Sequence, residues 1–177
     1  MSHIVDDIQV VVDMVRVGFT FDETFDKYSK GQLYFMYGHR SEINRRLAVK
    51  SKGQKTKFEK FPLIALRADM ESDEDGGLSN YKLNVAIFTA TDRNLNAEER
   101  TTQIFKPVLL PLYESFLLNL RKSGLFVWKG HYRPKHTKVE RPFWGTPSEE
   151  GTVKQIFDDP VDCIELIGLE LTKRNCN

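Results

Sequence analysis

The stretch from Asn84 to Leu120 constrains this chain more than any other. Val85, Ile87 and Thr89 alternate with Ala86, Phe88 and Ala90. This is a period-two pattern of β-branched and aromatic residues. Both sets are apolar, which predicts a strand covered on two sides. Thr91 to Asn96 breaks the pattern, and Asn96 suits an N-cap with Glu98 and Glu99 in the first helical turn. An apolar run from Ile104 to Leu117 follows, with Pro107 and Pro111 inside it. A proline within a continuous helix costs about 3 kcal/mol through a lost hydrogen bond and a ring clash. The expectation is therefore a helix that starts at Pro107 or is kinked there, with a short turn over Ala97–Phe105, a bend, and then the main helix as the favoured arrangement. The stretch supplies apolar surface and almost no group able to make or break a bond, which points to a function of shape and contact.

Around this centre, Ile4, Ile8, Val11, Val12 and Val15 recur at helical spacing and predict an amphipathic helix that ends at Gly18, with Asp6 and Asp7 outward. Short strands are expected at Leu33–Tyr37 and Phe61–Leu66, with a short basic helix from Ser41 between them. The proline at position 62 belongs at an edge or at a strand entry. A strand at Tyr81–Thr89 should pair back on the preceding one. A last strand is read at Asp162–Thr172. The sum is one α+β domain over residues 1–177, with three helices packed on one face of a mostly antiparallel sheet of about four to five strands. Extended loops are expected at residues 50–60, 69–77 and 125–144.

Composition narrows the partners. With 40% hydrophobic and 29% charged residues and a net charge of +1, nothing pulls the whole chain toward nucleic acid or an anionic membrane. No apolar run approaches the roughly 20 residues that span a bilayer, and the N-terminus shows no secretion signal. Charge is nevertheless segregated. Residues 39–60 hold eight Lys/Arg against two Glu, residues 69–75 hold five acids and no base, and residues 121–141 hold seven Lys/Arg against Glu140. Opposed blocks suit solvated loops or complementary faces between subunits.

Bond-making chemistry finds little footing. His3, His39, His131 and His136 show no metal-ligand spacing, and Cys163 and Cys176 form no Cys-x-x-Cys pair. No phosphate-binding glycine loop and no nucleophile elbow is present. No cofactor, metal or catalytic residue is expected. Two segments suit contact instead. Lys129, Arg133, Lys135 and Lys138 interleave cations with Tyr132 and could touch phosphates. Phe143 and Trp144, fenced by Pro142, Gly145 and Pro147, could either fold back on the core or anchor another subunit. Arg141, Phe143 and Trp144 on one side and Asp73, Glu74 and Asp75 on the other are the candidate subunit interface.

Several motifs together resemble a family of tailed-bacteriophage structural proteins found in phages and prophages of Bacteroidetes-like hosts, crAss-like phages included. They are Tyr37-Gly38-His39 with Glu42-Ile43, Phe61-Pro62-Leu63-Ile64-Ala65-Leu66, Val85-Ala86-Ile87-Phe88-Thr89 with Thr91-Asp92, and Glu99-Arg100. The similarity continues through Phe105-Lys106-Pro107-Val108-Leu109-Leu110-Pro111, Arg141-Pro142-Phe143-Trp144-Gly145 and Asp159-Pro160-Val161-Asp162-Cys163. The resemblance implies a neck or tail protein of the tail-terminator, tail-completion or head–tail connector kind. It implies a small α+β subunit that closes into a homo-oligomeric ring around the DNA channel and meets portal, neck or tail neighbours, with no catalytic residue. Such a protein would reside in the virion, and in the host cytoplasm during assembly. A rival is a sequence-independent DNA-binding accessory protein, which would use Lys129, Arg133, Lys135 and Lys138. An uncharacterised hydrolase would need carboxylates or histidines gathered in a pocket, which the sequence does not bring together.

Overall fold

A computed structural model describes residues 3–18, 32–53, 59–128, 133–142 and 160–174. Among them the chain forms helices α1 (Ile4–Gly18) and α2 (Arg40–Lys52), a third helix α3 over residues 97–122, and strands β1 (Tyr34–Gly38), β2 (Leu63–Arg67), β3 (Glu71–Asp75), β4 (Leu78–Ala90), β5 (Thr137–Arg141) and β6 (Val161–Arg174). The strands build one mixed, mostly antiparallel sheet in the order β1-β2-β4-β6-β5, and β3 joins β4 off this path. Only β1 and β2 run parallel. A parallel pair needs a crossover, and α2 supplies it.

The α+β class and the mostly antiparallel sheet agree with the expectation; the count and the layering differ. Six strands are present among the described residues. Helices α1 and α3 cover one face through Ile64, Leu66, Val85, Ile87, Ile164 and Leu166. Helix α2 covers the other, where Ile43 and Leu47 meet Leu63, Ala65, Ala86, Phe88 and Cys163. The reading of β4 as a strand covered on both sides holds, and it overrides the expectation of helices on a single face. Strand β4 is central, pairing with β2 and β3 on one side and with β6 on the other.

Three expected loops are partly strand or helix. Residues 71–75 form β3, which folds back on β4 through the turn at Gly76-Gly77. Residues 137–141 form β5 along β6. Helix α2 runs on to Lys52, and residues 54–58 lie outside the described part. Asp7, expected outward, is buried beside Lys173 of β6, whose ammonium neutralises it.

The prolines do not break α3. Asn96 caps it as expected: its side chain accepts from Glu99 N–H (3.0 Å), and Glu99 Oε2 accepts from Asn96 N–H (2.8 Å). After one α-turn, Ala97–Arg100, the backbone widens to π winding over Thr101–Leu109 and returns to α over Leu110–Lys122. Leu110 N–H donates to Phe105 C=O, five residues back. Pro107 sits within the widened segment, and Pro111 in the first turn after it, where a missing N–H does least harm.

The β4–β6 ladder carries one irregularity. Leu83 faces Leu169 and Val85 faces Leu166, so Asn84 alone opposes Ile167 and Gly168. Gly168 has φ +66°, the left-handed conformation that such a bulge asks of its extra residue and that glycine adopts without penalty. Its N–H, left out of the ladder, donates to Asn84 Oδ1 (3.1 Å). The bulge resets the alternation of β6, so Ile164, Leu166, Leu169 and Leu171 all reach the same core.

Candidate interaction surfaces

The basic segment that leads into β5 is pinned to α3 and β6. Glu170 N–H donates to Lys135 C=O (2.9 Å), and Val127 N–H to Thr172 C=O (2.7 Å), so this segment runs beside the outer half of β6. Arg133 Nη2 lies 2.7 Å from Glu114 Oε2 on α3, and Lys135 Nζ lies 3.1 Å from Glu170 Oε1. His136 stands between Tyr113 Oη (2.9 Å from Nε2) and Pro134 C=O (2.8 Å from Nδ1). A carbonyl can only accept, so Nδ1 carries a proton, and in the neutral ring the Tyr113 hydroxyl donates to Nε2. Lys138 Nζ sits 5.1 Å from the Tyr113 ring centre and 2.6 Å from Glu140 Oε1. Arg141 Nε pairs with Glu165 Oε2 across the strands.

Every described candidate cation, Arg133, Lys135, Lys138 and Arg141, thus has a carboxylate within reach on its own chain. Lys129, Phe143 and Trp144 lie outside the described residues.

The acidic candidates lie elsewhere. Asp73, Glu74 and Asp75 occupy β3 and are exposed, as are Glu71 and Ser72. Glu71 has Lys82 as a loose partner at 3.6 Å. Among the described residues, none of Asp73, Glu74 and Asp75 has an ion-pair partner. The structure therefore separates the two halves of the candidate interface. The acids lie on the β4 side of the sheet, and Arg141 lies at the far edge, on β5.

Between them runs a groove of about 590 Å³. Asn80, Lys82 and Thr172 contribute to its floor, Glu71 and Asp73 line one side, and Arg133 and Lys135 line the other. Tyr81, Phe126 and Trp128 add aromatic surface. Trp128 Nε1 is buried and has no acceptor among the described residues. Nothing in the sequence marked Trp128, because a lone tryptophan after a helix reads equally well as core.

One buried polar group also escaped the sequence reading. Arg100 is 2% and Asp162 0% exposed in their side chains. Arg100 Nη1 reaches Asp162 Oδ1 (2.9 Å) and Thr91 Oγ1 (2.9 Å), while Nε donates to Leu95 C=O (3.0 Å) and Nη2 to Asp92 C=O. The guanidinium ties the link from β4 to α3, the start of α3 and the start of β6 into one block. Its role is positioning, since nothing there opens to a substrate.

Cys163 is buried on the α2 face. Burial, and then the nearby Glu165 charge, push its thiol well above its ordinary pKa, so it stays protonated and unreactive. Among the described residues no three His, Cys, Asp or Glu side chains converge in a way that could hold a metal ion. No helix there is long and apolar enough to cross a membrane. Neither a protein-family model nor a curated protein matches the chain.

Proposed function

We propose that this chain is a structural component of a tailed-bacteriophage particle. It forms a ring in the neck or tail, as a head–tail connector or tail terminator, around the channel through which DNA passes. Its partners are further copies of itself and the adjoining portal, neck or tail proteins, and its place is the virion, after assembly in the host cytoplasm. The observation that carries this reading is the separation of charge across one rigid sheet. Carboxylates without a partner among the described residues lie along β3, and a basic segment lies along the opposite edge at β5. Rings are built from head-to-tail contacts between two unlike faces of the same subunit. A subunit with an acidic edge and a basic edge has such faces. The resemblance through the motifs from Tyr37 to Cys163 supports the same reading.

The DNA-binding alternative gains little from the geometry. The four described cations are already near carboxylates, which lowers the field that they offer to phosphates. The test is electron microscopy of the full chain together with mass from light scattering at rising concentration. Closed annuli of fixed copy number are the expected result. A chain that stays monomeric throughout would overturn the reading.

A further inference from the structure

We propose that successive copies of this chain join by strand addition, with the outer edge of β5 on one copy pairing antiparallel with the outer edge of β3 on the next. This deepens the ring reading above and rests on it. The two strands are open edges: among the described residues β3 pairs only with β4, and β5 only with β6. Both strands are largely exposed. An open edge offers a row of backbone donors and acceptors to another chain.

Direction fits. Strand β3 is antiparallel to β4, β4 to β6, and β6 to β5. A copy in the same orientation therefore presents β3 antiparallel to β5 once it is displaced along the strands, because β3 flanks Leu78–Lys82 of β4 whereas β5 lies level with Val85–Phe88.

Charge fits on each face separately. In β3, Ser72 opposes Tyr81, which packs on the α1–α3 core, so Glu74 shares that face and Asp73 and Asp75 take the α2 face. In β5, Lys138 opposes Leu166 of the α1–α3 core, and Arg141 opposes Cys163 of the α2 core. Continuing the sheet brings Lys138 to the face of Glu74, and Arg141 to the face of Asp73 and Asp75. The existing partners of the cations do not lock them away. Lys135 is 82% exposed in the side chain and its pair with Glu170 is open to solvent, so it contributes little and exchanges readily, whereas Arg141 keeps the buried Glu165 as a partner and offers its remaining donors.

Charged edges commonly guard a sheet against unwanted pairing. Here the guard is selective. Pairing β3 with β3 would set Glu71, Asp73, Glu74 and Asp75 against their own copies, whereas β5 offers them Lys138 and Arg141 with Glu140 as its one acid. The pattern forbids the two-fold dimer and permits the head-to-tail chain that a ring requires.

The experiment compares the full chain with two charge-reversed variants, D73K/E74K/D75K and K135E/K138E, by light scattering and microscopy. All five positions are exposed, and the Arg141–Glu165 pair is left intact. D73K/E74K/D75K carries two basic edges, and K135E/K138E leaves Arg141 as the one cation of β5 opposite an acidic β3, so each alone is expected to lose the high-mass species. Mixed in equal amounts, the two present opposite edges to each other, and rings of alternating copies are expected to return. Raising salt should dissolve the wild-type assembly, because exposed charges are screened. Rings that persist in D73K/E74K/D75K, or a mixture that stays unassembled, would overturn the strand contact while leaving the ring reading in place. A wild-type chain that never self-associates would overturn both.

Discussion

Arg100 shows how a single side chain can organise a fold without appearing important in the sequence. Its guanidinium satisfies Asp162, Thr91 and two loop carbonyls at once, in a site sealed from water. Removing one member of a buried pair strands the other. Arg100→Ala or Asp162→Ala should therefore cost about 3–5 kcal/mol in urea unfolding. Arg100→Met combined with Asp162→Leu should recover much of that loss, because no lone charge is then left inside. Two of the sequence motifs, Glu99-Arg100 and Val161-Asp162-Cys163, meet at this pair. Sequence alone gave no reason to join them, since an arginine in a first helical turn and an aspartate at a strand start each read as surface residues. Cys163 makes a second prediction. Its folded pKa lies above its unfolded one, so its contribution is complete below the ordinary thiol pKa and is lost as pH rises. Above about pH 8.5 the unfolded chain releases the proton while the folded chain holds it, a loss of about 1.4 kcal/mol per pH unit. Urea midpoints measured between pH 8 and about 9.5 should fall more steeply for the parent chain than for Cys163→Val.

At the level of elements, α3 shows why the prolines misled the reading. Its buried residues follow two strict rows, Ile104, Val108, Leu112, Phe116, Leu120 and Phe105, Leu109, Tyr113, Leu117. A repeat of four is longer than the 3.6 residues of an α-turn, so an apolar row with that spacing drifts around a regular helix. The wider π winding turns more slowly per residue and offsets the drift, which holds both rows against the sheet. That spacing was visible in the sequence, and the expectation of a bend weighed the prolines without it. Leu109→Ala should cost about 2–5 kcal/mol. Leu118→Ala, on the 44% exposed side, should stay within about 0.5 kcal/mol. Strands β3 and β5 were missed for a different reason. Their residues, Glu71–Asp75 and Thr137–Arg141, lack apolar alternation because edge strands with exposed faces have little to bury. The bulge at Gly168 was hidden as well, since a single left-handed residue shifts the phase of β6 without changing its composition.

At the scale of the whole molecule, the α+β class was legible because β4 is apolar on both faces and the helices α1 and α3 are strongly patterned. The layering was not, because α2 buries only Ile43 and Leu47 and so carries a weak signal. The charge blocks were legible as blocks, but their placement on opposite edges needed the strand order. The DNA-binding alternative can be tested on the intact chain. Binding to a mixed-sequence duplex should be weak, with a logarithmic salt slope shallower than about −2. A slope near −4, reduced by K135E/K138E, would favour direct phosphate contact. One topological fact reaches into the life of the protein before it is finished. Strand β6 lies between β4 and β5, and on that side Leu78 finds its neighbour in Arg174. A nascent chain therefore leaves the ribosome with the middle of its sheet missing, and the long-range ladder closes only once residue 174 has emerged. Until then the open flank of β4 is a sticky seam, and a stalled or shortened translation product should be found in the insoluble fraction.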